Sequence, residues 1–130
     1  MIEKLTYNHD TARMTDSIDI EIMVEGGKLL YNKSNFLINL EGTNYAKNAV
    51  STVSLEEFEK KLSALKIEEW DDISLPPEDM VCLDGSSWKV KIKYEGKKAI
   101  TKDGQNAYPS NWKKFIKLLK FTVGEFDTIQ

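Results

Sequence analysis

The feature that most constrains this chain is a run of seven residues in which large apolar side chains alternate with lysines. The apolar positions are Trp88, Val90, Ile92 and Tyr94, and the lysines are Lys89, Lys91 and Lys93. Because successive side chains of a β-strand point to opposite faces, the run predicts a half-buried strand with one apolar face and one lysine face. A chain that contains this strand must build a sheet and cover its apolar face.

Other parts of the chain supply partner strands for this sheet. A second alternating run, from Ser17 to Glu25, directs its isoleucines to one face and its acids to the other. Gly26-Gly27 then predicts a tight hairpin turn, since glycine readily adopts the left-handed backbone angles that such turns need. Gly96 predicts a similar reversal at the end of the lysine strand. The segment from Ile2 to Tyr7 predicts a first, short strand.

Two segments carry the spacing of apolar residues that is typical of amphipathic helices. Ser54 and Glu57 form a capping box ahead of a helix that is predicted from residue 55 to about residue 66. A second helix is predicted to begin at Asn111, with Ser110 as its cap. The apolar positions are Leu55, Phe58, Leu62 and Leu65 in the first helix and Trp112, Phe115, Ile116 and Leu119 in the second.

The order of these elements, β-β-β(-β)-α-β-β-α, predicts the fold class. We expect a single α+β domain over residues 1–130, with a mainly antiparallel sheet and two amphipathic helices on one face. A length of 130 residues suits one domain with its own core. The only cysteine, Cys82, suits a reducing compartment. The sequence has no apolar run of signal-peptide or bilayer length, so we expect a cytoplasmic protein without membrane contact.

Side chains that commonly carry catalysis or bind metals are scarce. The single histidine, His9, falls in a polar stretch that is expected to be a loop, and Cys82 lies between apolar neighbours, which favours a buried thiol. Two such residues are too few for a typical zinc site, and no glycine-rich phosphate loop occurs. The acids at positions 78, 79 and 84 lack the spacing of a calcium loop. We therefore expect a protein that is not an enzyme and that holds no cofactor or metal.

Charge is unevenly distributed along the chain. Residues 54–84 carry a net charge of −7 and residues 85–120 carry +8, although the whole chain carries only −3. Such segregation suits either neutralisation between neighbouring segments or the steering of a charged partner. The leading interpretation is a protein that binds another protein, as immunity and inhibitor proteins do, through its acidic segment. The candidate partner-binding acids are Glu68, Glu69, Asp71 and Asp72.

A nucleic-acid-binding protein is the alternative interpretation, and an enzyme of unknown type is the third. Basic residues interleaved with aromatic ones are typical of proteins that bind single strands. The candidate residues are Lys89, Lys91, Lys93, Lys97 and Lys98. The alternation, however, sends Trp88 and Tyr94 to the face opposite the lysines. Arg13 is also the only arginine, and arginine is favoured for bidentate recognition of phosphates.

The C-terminal third contains two motifs, a DGxxW strand that begins at Asp84 and a GxNAYPxxWxxF loop and helix that begin at Gly104. In these motifs the chain resembles a group of small uncharacterised bacterial proteins. The resemblance implies kinship and a bacterial source, and it implies no activity. Physically the motifs favour a folding device, with Gly104 in a turn. The other interpretation is a recognition site at Asn106 and Tyr108, on a loop ahead of a helix.

Overall fold

The computed structural model describes residues 2–11, 17–36, 44–70, 73–74, 86–105, 108–124 and 126. Within these residues the chain forms seven strands and two α-helices, and a short 3-10 helix, Ile67–Glu69, follows the first of them. The strands are β1 (Ile2–Thr11), β2 (Ser17–Glu25), β3 (Lys28–Phe36), β4 (Asn44–Val50), β5 (Ile73–Ser74), β6 (Ser86–Tyr94) and β7 (Ile100–Gln105). The helices are α1 (Leu55–Leu65) and α2 (Trp112–Val123).

The seven strands form one sheet in the order β4-β3-β2-β1-β6-β7-β5. All neighbours are antiparallel except the two-residue strand β5, which pairs in parallel with β7. The predicted single α+β domain with a mainly antiparallel sheet is therefore confirmed. Strand β1 lies in the interior of the sheet, between β2 and β6.

The first strand is longer than the sequence pattern predicted. It continues past Tyr7 to Thr11, because β2 and β6 offer hydrogen-bonding partners on both of its edges. The prediction of a loop at His9 is therefore wrong, and sheet pairing overrides the weak strand preference of its polar neighbours. A bulge between Ile2 and Lys4 also shifts the register, so Ile2 is buried together with Leu5.

Glycines allow two of the predicted turns but not the third. Gly26 and Gly27 have φ angles of +58° and +77°, and Gly96 has a φ of +70°, as the hairpin turns require. Gly104, predicted to lie in a turn, instead lies in β7, directly opposite Trp88 of β6. Directly paired residues project from the same face of a sheet, so a glycine here leaves room beside the large indole.

The core lies between one face of the sheet and the two helices. That face carries the isoleucines of β2 and the apolar residues of β6, and the predicted inward direction of Trp88 is confirmed by its exposure of 2%. The buried residues of the helices include Phe58, Leu62 and Leu65 of α1 and Trp112, Phe115, Leu119 and Val123 of α2. Each large apolar side chain that is fully buried contributes about 1.5–3 kcal/mol to folding. The side chains buried between the sheet and the helices therefore together stabilise the whole domain.

A side-chain hydrogen bond caps the start of α1 but not the start of α2. The Ser54 hydroxyl accepts a bond from the Glu57 backbone N–H at 3.2 Å, which confirms the predicted cap of α1. Helix α2 begins at Trp112, and its N-cap is Asn111 rather than the predicted Ser110. With 11 and 12 residues, neither described helix is long and apolar enough to cross a membrane.

Candidate functional site

The helices cover one face of the sheet, and no described residue covers the other. Side chains of the three central strands that point to this uncovered face include Lys4, Thr6, Asn8 and Asp10 of β1, Asp19, Glu21 and Met23 of β2, and Lys89, Lys91 and Lys93 of β6. All of these except Met23, which lies directly opposite Lys4, are polar or charged, as expected for the solvated face of an antiparallel sheet. We call this surface the uncovered face.

Charge is divided across the uncovered face, with β1 as the boundary. Thr6 lies in register between Glu21 of β2 and Lys91 of β6. Asn8 lies in the same way between Asp19 and Lys89. Because β1 alone separates β2 from β6, the acidic and basic side chains stand about 10 Å apart. That distance is close to the Debye length at physiological ionic strength. The acidic and the basic half therefore present two separate electrostatic fields to a docking molecule.

The basic half of the face contains an open groove of about 660 Å³. Four lysines line it, together with two small residues and one acid. These residues are Lys4, Lys91, Lys93 and Lys98, then Thr6 and Ala99, and finally Glu3. We call this feature the lysine groove. It joins β1 to β6 and to the turn that follows β6, so it includes parts of the chain about ninety residues apart in sequence.

The four lysines differ in how far they are already engaged. Lys4 Nζ lies 3.1 Å from Glu21 Oε2, and Lys93 Nζ donates to the backbone oxygens of Tyr94 and Lys97. Lys91 and Lys98 are exposed, and neither makes a hydrogen bond or ion pair with any residue that the structure describes. Two ammonium groups of the groove are thus available to a ligand.

The acidic half is organised by side-chain amides. Asn8 Nδ2 donates to Asp19 Oδ1, and Asn32 Nδ2 donates to Glu21 Oε1 at 3.2 Å. A second groove of about 290 Å³ lies there, and both acids line it together with Lys47 of the neighbouring strand β4. Thr6 lines this groove and the lysine groove alike, so the two grooves lie next to each other on the sheet. The hydrogen bonds from the Asn8 and Asn32 side chains hold the two carboxylates in position beside this groove.

A different polar cluster lies inside the core, around His9. The Tyr7 hydroxyl lies 2.7 Å from His9 Nδ1, and the Tyr108 hydroxyl lies 3.2 Å from His9 Nε2. A neutral imidazole has one N–H and one lone pair, and a phenol can donate or accept, so both ring nitrogens are satisfied in either tautomer. The Trp112 indole packs against all three rings at centroid distances of 5.1–6.0 Å.

Burial controls the ionisation of this cluster. His9 is only 1% exposed, and the loss of hydration lowers its pKa from 6.5 to about 4. Burial, followed by repulsion from the Tyr108 phenol, raises the Tyr7 pKa far above its usual range. At neutral pH the cluster is therefore an uncharged and hydrogen-bonded part of the core. The one residue type best suited to acid–base chemistry is thus engaged in holding β1 to the loop before α2.

The structure separates the sequence-predicted site residues. Glu68 and Glu69 are exposed on the 3-10 helix. Burial raises the pKa of Tyr94, and the negative charge of Glu68 raises it further. Tyr108 is half-buried against His9, whereas Asp71, Asp72 and Asn106 lie outside the described residues. Their assignment as partner-binding residues stays a prediction.

The lysine hairpin is divided in a similar way. Lys89, Lys91 and Lys93 lie together on the uncovered face, and Lys98 joins them at the lysine groove. Lys97 instead lies on the helix side, beside Tyr94 and Glu68. Sequence reasoning did not include Lys4 in this set, because only the pairing of β1 with β6 brings it there. It also did not connect Asp19 and Glu21 with the lysines, although their outward direction was visible in the alternation of β2.

Comparison with known proteins gives no relative for this chain, so the function of the site has to be inferred from its geometry. No family model, curated protein or solved structure matches this chain. Among the residues that the structure describes, no group of three or more His, Cys, Asp and Glu side chains is placed to hold a metal ion. Cys82 and the acids at positions 78, 79 and 84 lie outside those residues.

Proposed function

We propose that this protein acts by binding another protein, that the uncovered face of its sheet is the binding surface, and that it is not an enzyme. The observation that carries the proposal is the division of that face into an acidic and a basic half on either side of β1. Complementary charge patterns steer partners together and reject wrong ones, because like charges in contact are costly. A divided face selects a partner with the reverse pattern more strictly than a uniform face does.

The dimensions of the face suit a specific complex. Six antiparallel strands spaced about 4.8 Å apart, each with about seven paired residues, give a surface on the order of 700 Å². A standard protein interface buries about 800 Å² on each partner. A rigid sheet with its helices behind it also loses little conformational freedom on binding, which favours affinity. These are the properties of an immunity or inhibitor protein, which works by covering a surface of its target.

The position of His9 supports a non-enzymatic role. Its two ring nitrogens face the Tyr7 and Tyr108 hydroxyls, and its side chain is almost fully buried. A general acid or base must instead reach a substrate proton within hydrogen-bonding distance. In this protein the histidine stabilises the core.

The test is capture of the partner from a lysate of the source organism, read by mass spectrometry with and without nuclease. Two variants change the face, Lys89→Glu/Lys91→Glu in the basic half and Asp19→Lys/Glu21→Lys in the acidic half. The control, Lys113→Glu/Lys114→Glu, makes the same charge change as the first variant at exposed positions of α2. We expect a nuclease-resistant partner that the control retains and that both face variants lose.

Two results would contradict this assignment. Equal capture by the face variants and the control would exclude the uncovered face. Loss of capture only in a Glu68→Lys/Glu69→Lys variant would move the binding surface to the acidic 3-10 helix, as the sequence first indicated. In either case the variants must retain the thermal unfolding midpoint of the parent protein, so that lost capture reports the surface and not the fold.

Nucleic-acid binding is the second candidate function, and the lysine groove is the observation that favours it. Binding of a polyanion releases condensed counterions, so its affinity falls steeply as salt is raised. Two features of the uncovered face argue against this role, because Asp103 pairs directly with Lys89 in the basic half and the carboxylates of Asp19 and Glu21 lie across β1 from the lysines. Retention on single- or double-stranded polymer at low salt, lost in Lys89→Glu/Lys91→Glu, would support it, and absence of retention would exclude it.

A further inference from the structure

We infer that the lysine groove binds an acidic segment of the protein partner, in which several Asp or Glu side chains lie close together. The inference rests on the proposed protein-binding function and names the part of the partner that enters the groove.

The lysines converge on one depression although they come from separate elements. Lys4 belongs to β1, Lys91 and Lys93 to β6, and Lys98 to the turn after β6. Thr6 and Ala99 are small, so they leave the depression open between the long lysine side chains. A volume of about 660 Å³ lies within the range of natural ligand sites and accepts several side chains of a partner segment.

The protein itself supplies an example of the proposed contact. Glu21, from the neighbouring strand β2, places its carboxylate 3.1 Å from the Lys4 ammonium. Lys91 and Lys98 make no such contact within the described residues, and both are exposed. A partner carboxylate can therefore bind these two lysines in the way that Glu21 binds Lys4.

The chemistry of the groove favours carboxylates over a phosphate backbone. Its cations are all lysines, which act as compact point charges and lack the planar fork with which arginine grips phosphate. Glu3 lines the groove, and Glu21 stands two strands from Lys91. A nucleic acid carries a charge at every phosphate and would extend over these acids, whereas a protein segment can place its acids in the groove and neutral residues beyond it.

The test measures binding of two labelled probes by fluorescence anisotropy. One probe is a short peptide of alternating glutamate and serine, and the other is an oligothymidylate with the same number of negative charges. The groove variant is Lys91→Glu/Lys98→Glu, and its matched control is Lys113→Glu/Lys117→Glu, which makes the same charge change on exposed positions of α2. Lys91→Ala/Lys98→Ala serves as a second groove variant if charge reversal disturbs the fold.

We expect the intact protein to bind the peptide more tightly than the oligothymidylate. The groove variant should lose about ten- to thirtyfold in peptide affinity, and the control should change it by less than about threefold. Equal losses in the two variants would overturn the inference, because they would mean that overall charge drives binding. Tighter binding of the oligothymidylate would also overturn it, in favour of a nucleic-acid ligand.

The same groove variant separates this inference from the proposed function. If the partner is still captured by Lys91→Glu/Lys98→Glu but not by Asp19→Lys/Glu21→Lys, the uncovered face binds the partner and the inferred acidic segment is wrong. If no variant of the uncovered face changes capture, the proposed function fails, whatever the peptide does. Loss of both capture and peptide binding in the groove variant, with the control unchanged, supports the two together.

Discussion

The Tyr7 hydroxyl lies 2.7 Å from His9 Nδ1, although both side chains are buried in the core. Two residues apart on β1, they point to the same face of the sheet and reach the aromatic rings of α2 together. A polar pair in such surroundings is stable only when each group finds its partner. The pair thus fixes how α2 and the loop before it sit on the sheet, and it gives the core a dependence on pH.

Stability should fall as the pH is lowered from about 6.5 to about 4. The folded His9 has a pKa of about 4 against 6.5 when exposed, so over this range the unfolded chain binds the proton more readily. The loss should reach about 3 kcal/mol in the free energy of unfolding, and it should be absent above this range. Urea unfolding at a series of pH values measures it.

A His9→Gln variant provides the control for this pH dependence. Asp10, whose pKa is raised by burial and then by Asp19, works in the opposite direction, because it favours the folded state at low pH. That effect and the background of surface carboxylates are common to both proteins. The difference between parent and variant should therefore vary by about 3 kcal/mol between these pH values, and a constant difference would contradict the assignment.

Removal of the Tyr7 hydroxyl should cost more stability than removal of the Tyr108 hydroxyl. Tyr7→Phe leaves a buried imidazole nitrogen without its partner, which typically costs about 1–3 kcal/mol. Tyr108 is only half-buried, so water can replace its hydroxyl in Tyr108→Phe. Chemical denaturation of the two variants measures the difference. Equal losses, or a larger loss for Tyr108→Phe, would show that the Tyr7 hydrogen bond does not hold the cluster.

Asn111 should be important for stability although its side chain does not cap α2. The Trp70 indole N–H donates to Asn111 Oδ1, and Asn111 Nδ2 donates to the Leu65 backbone oxygen, both at 2.8 Å. The amide thereby joins the end of α1 to the start of α2. Asn111→Ala should lose about 1–3 kcal/mol in the free energy of unfolding.

Ser110→Ala is the natural control for this position. Ser110 is exposed, and it is not the N-cap that the sequence indicated, so its substitution should change stability by less than about 0.5 kcal/mol. An Asn111→Asp variant keeps the acceptor for Trp70 but places a carboxylate oxygen against the Leu65 carbonyl oxygen, so it should lose at least as much stability as Asn111→Ala. A larger effect at Ser110 than at Asn111 would restore the original interpretation of the helix start.

Lys33 should stabilise the C-terminal end of α2. Its side chain is 7% exposed, and its Nζ donates to the Val123 backbone oxygen at 3.0 Å. A cation there complements the negative end of the helix dipole and satisfies one of the last carbonyl groups. Lys33→Met should therefore lower the free energy of unfolding by about 1–2 kcal/mol. Lys28→Met, at an exposed position of the same strand, should be nearly neutral, and equal effects would contradict this role.

Much of the fold was predictable because its signals are local. The alternation from Trp88 to Tyr94 has a period of two residues, and it correctly separated a core face from a lysine face. The glycines at positions 26 and 27 marked a turn, and Ser54 marked the start of α1. The two lysines that are available in the lysine groove, Lys91 and Lys98, were both among the predicted nucleic-acid candidates.

By itself, then, the sequence determined both helices, the strands with a clear alternation and which face of each is apolar, since these depend on neighbours a few residues apart. Only the tertiary structure decided that β1 lies between β2 and β6. That placement moved His9 from an expected loop into the core, brought Lys4 to the lysine groove, and set Glu21 and Lys91 on either side of Thr6. Pairing between strands distant in sequence depends on the free energy of the whole sheet and its core, and no local pattern encodes it.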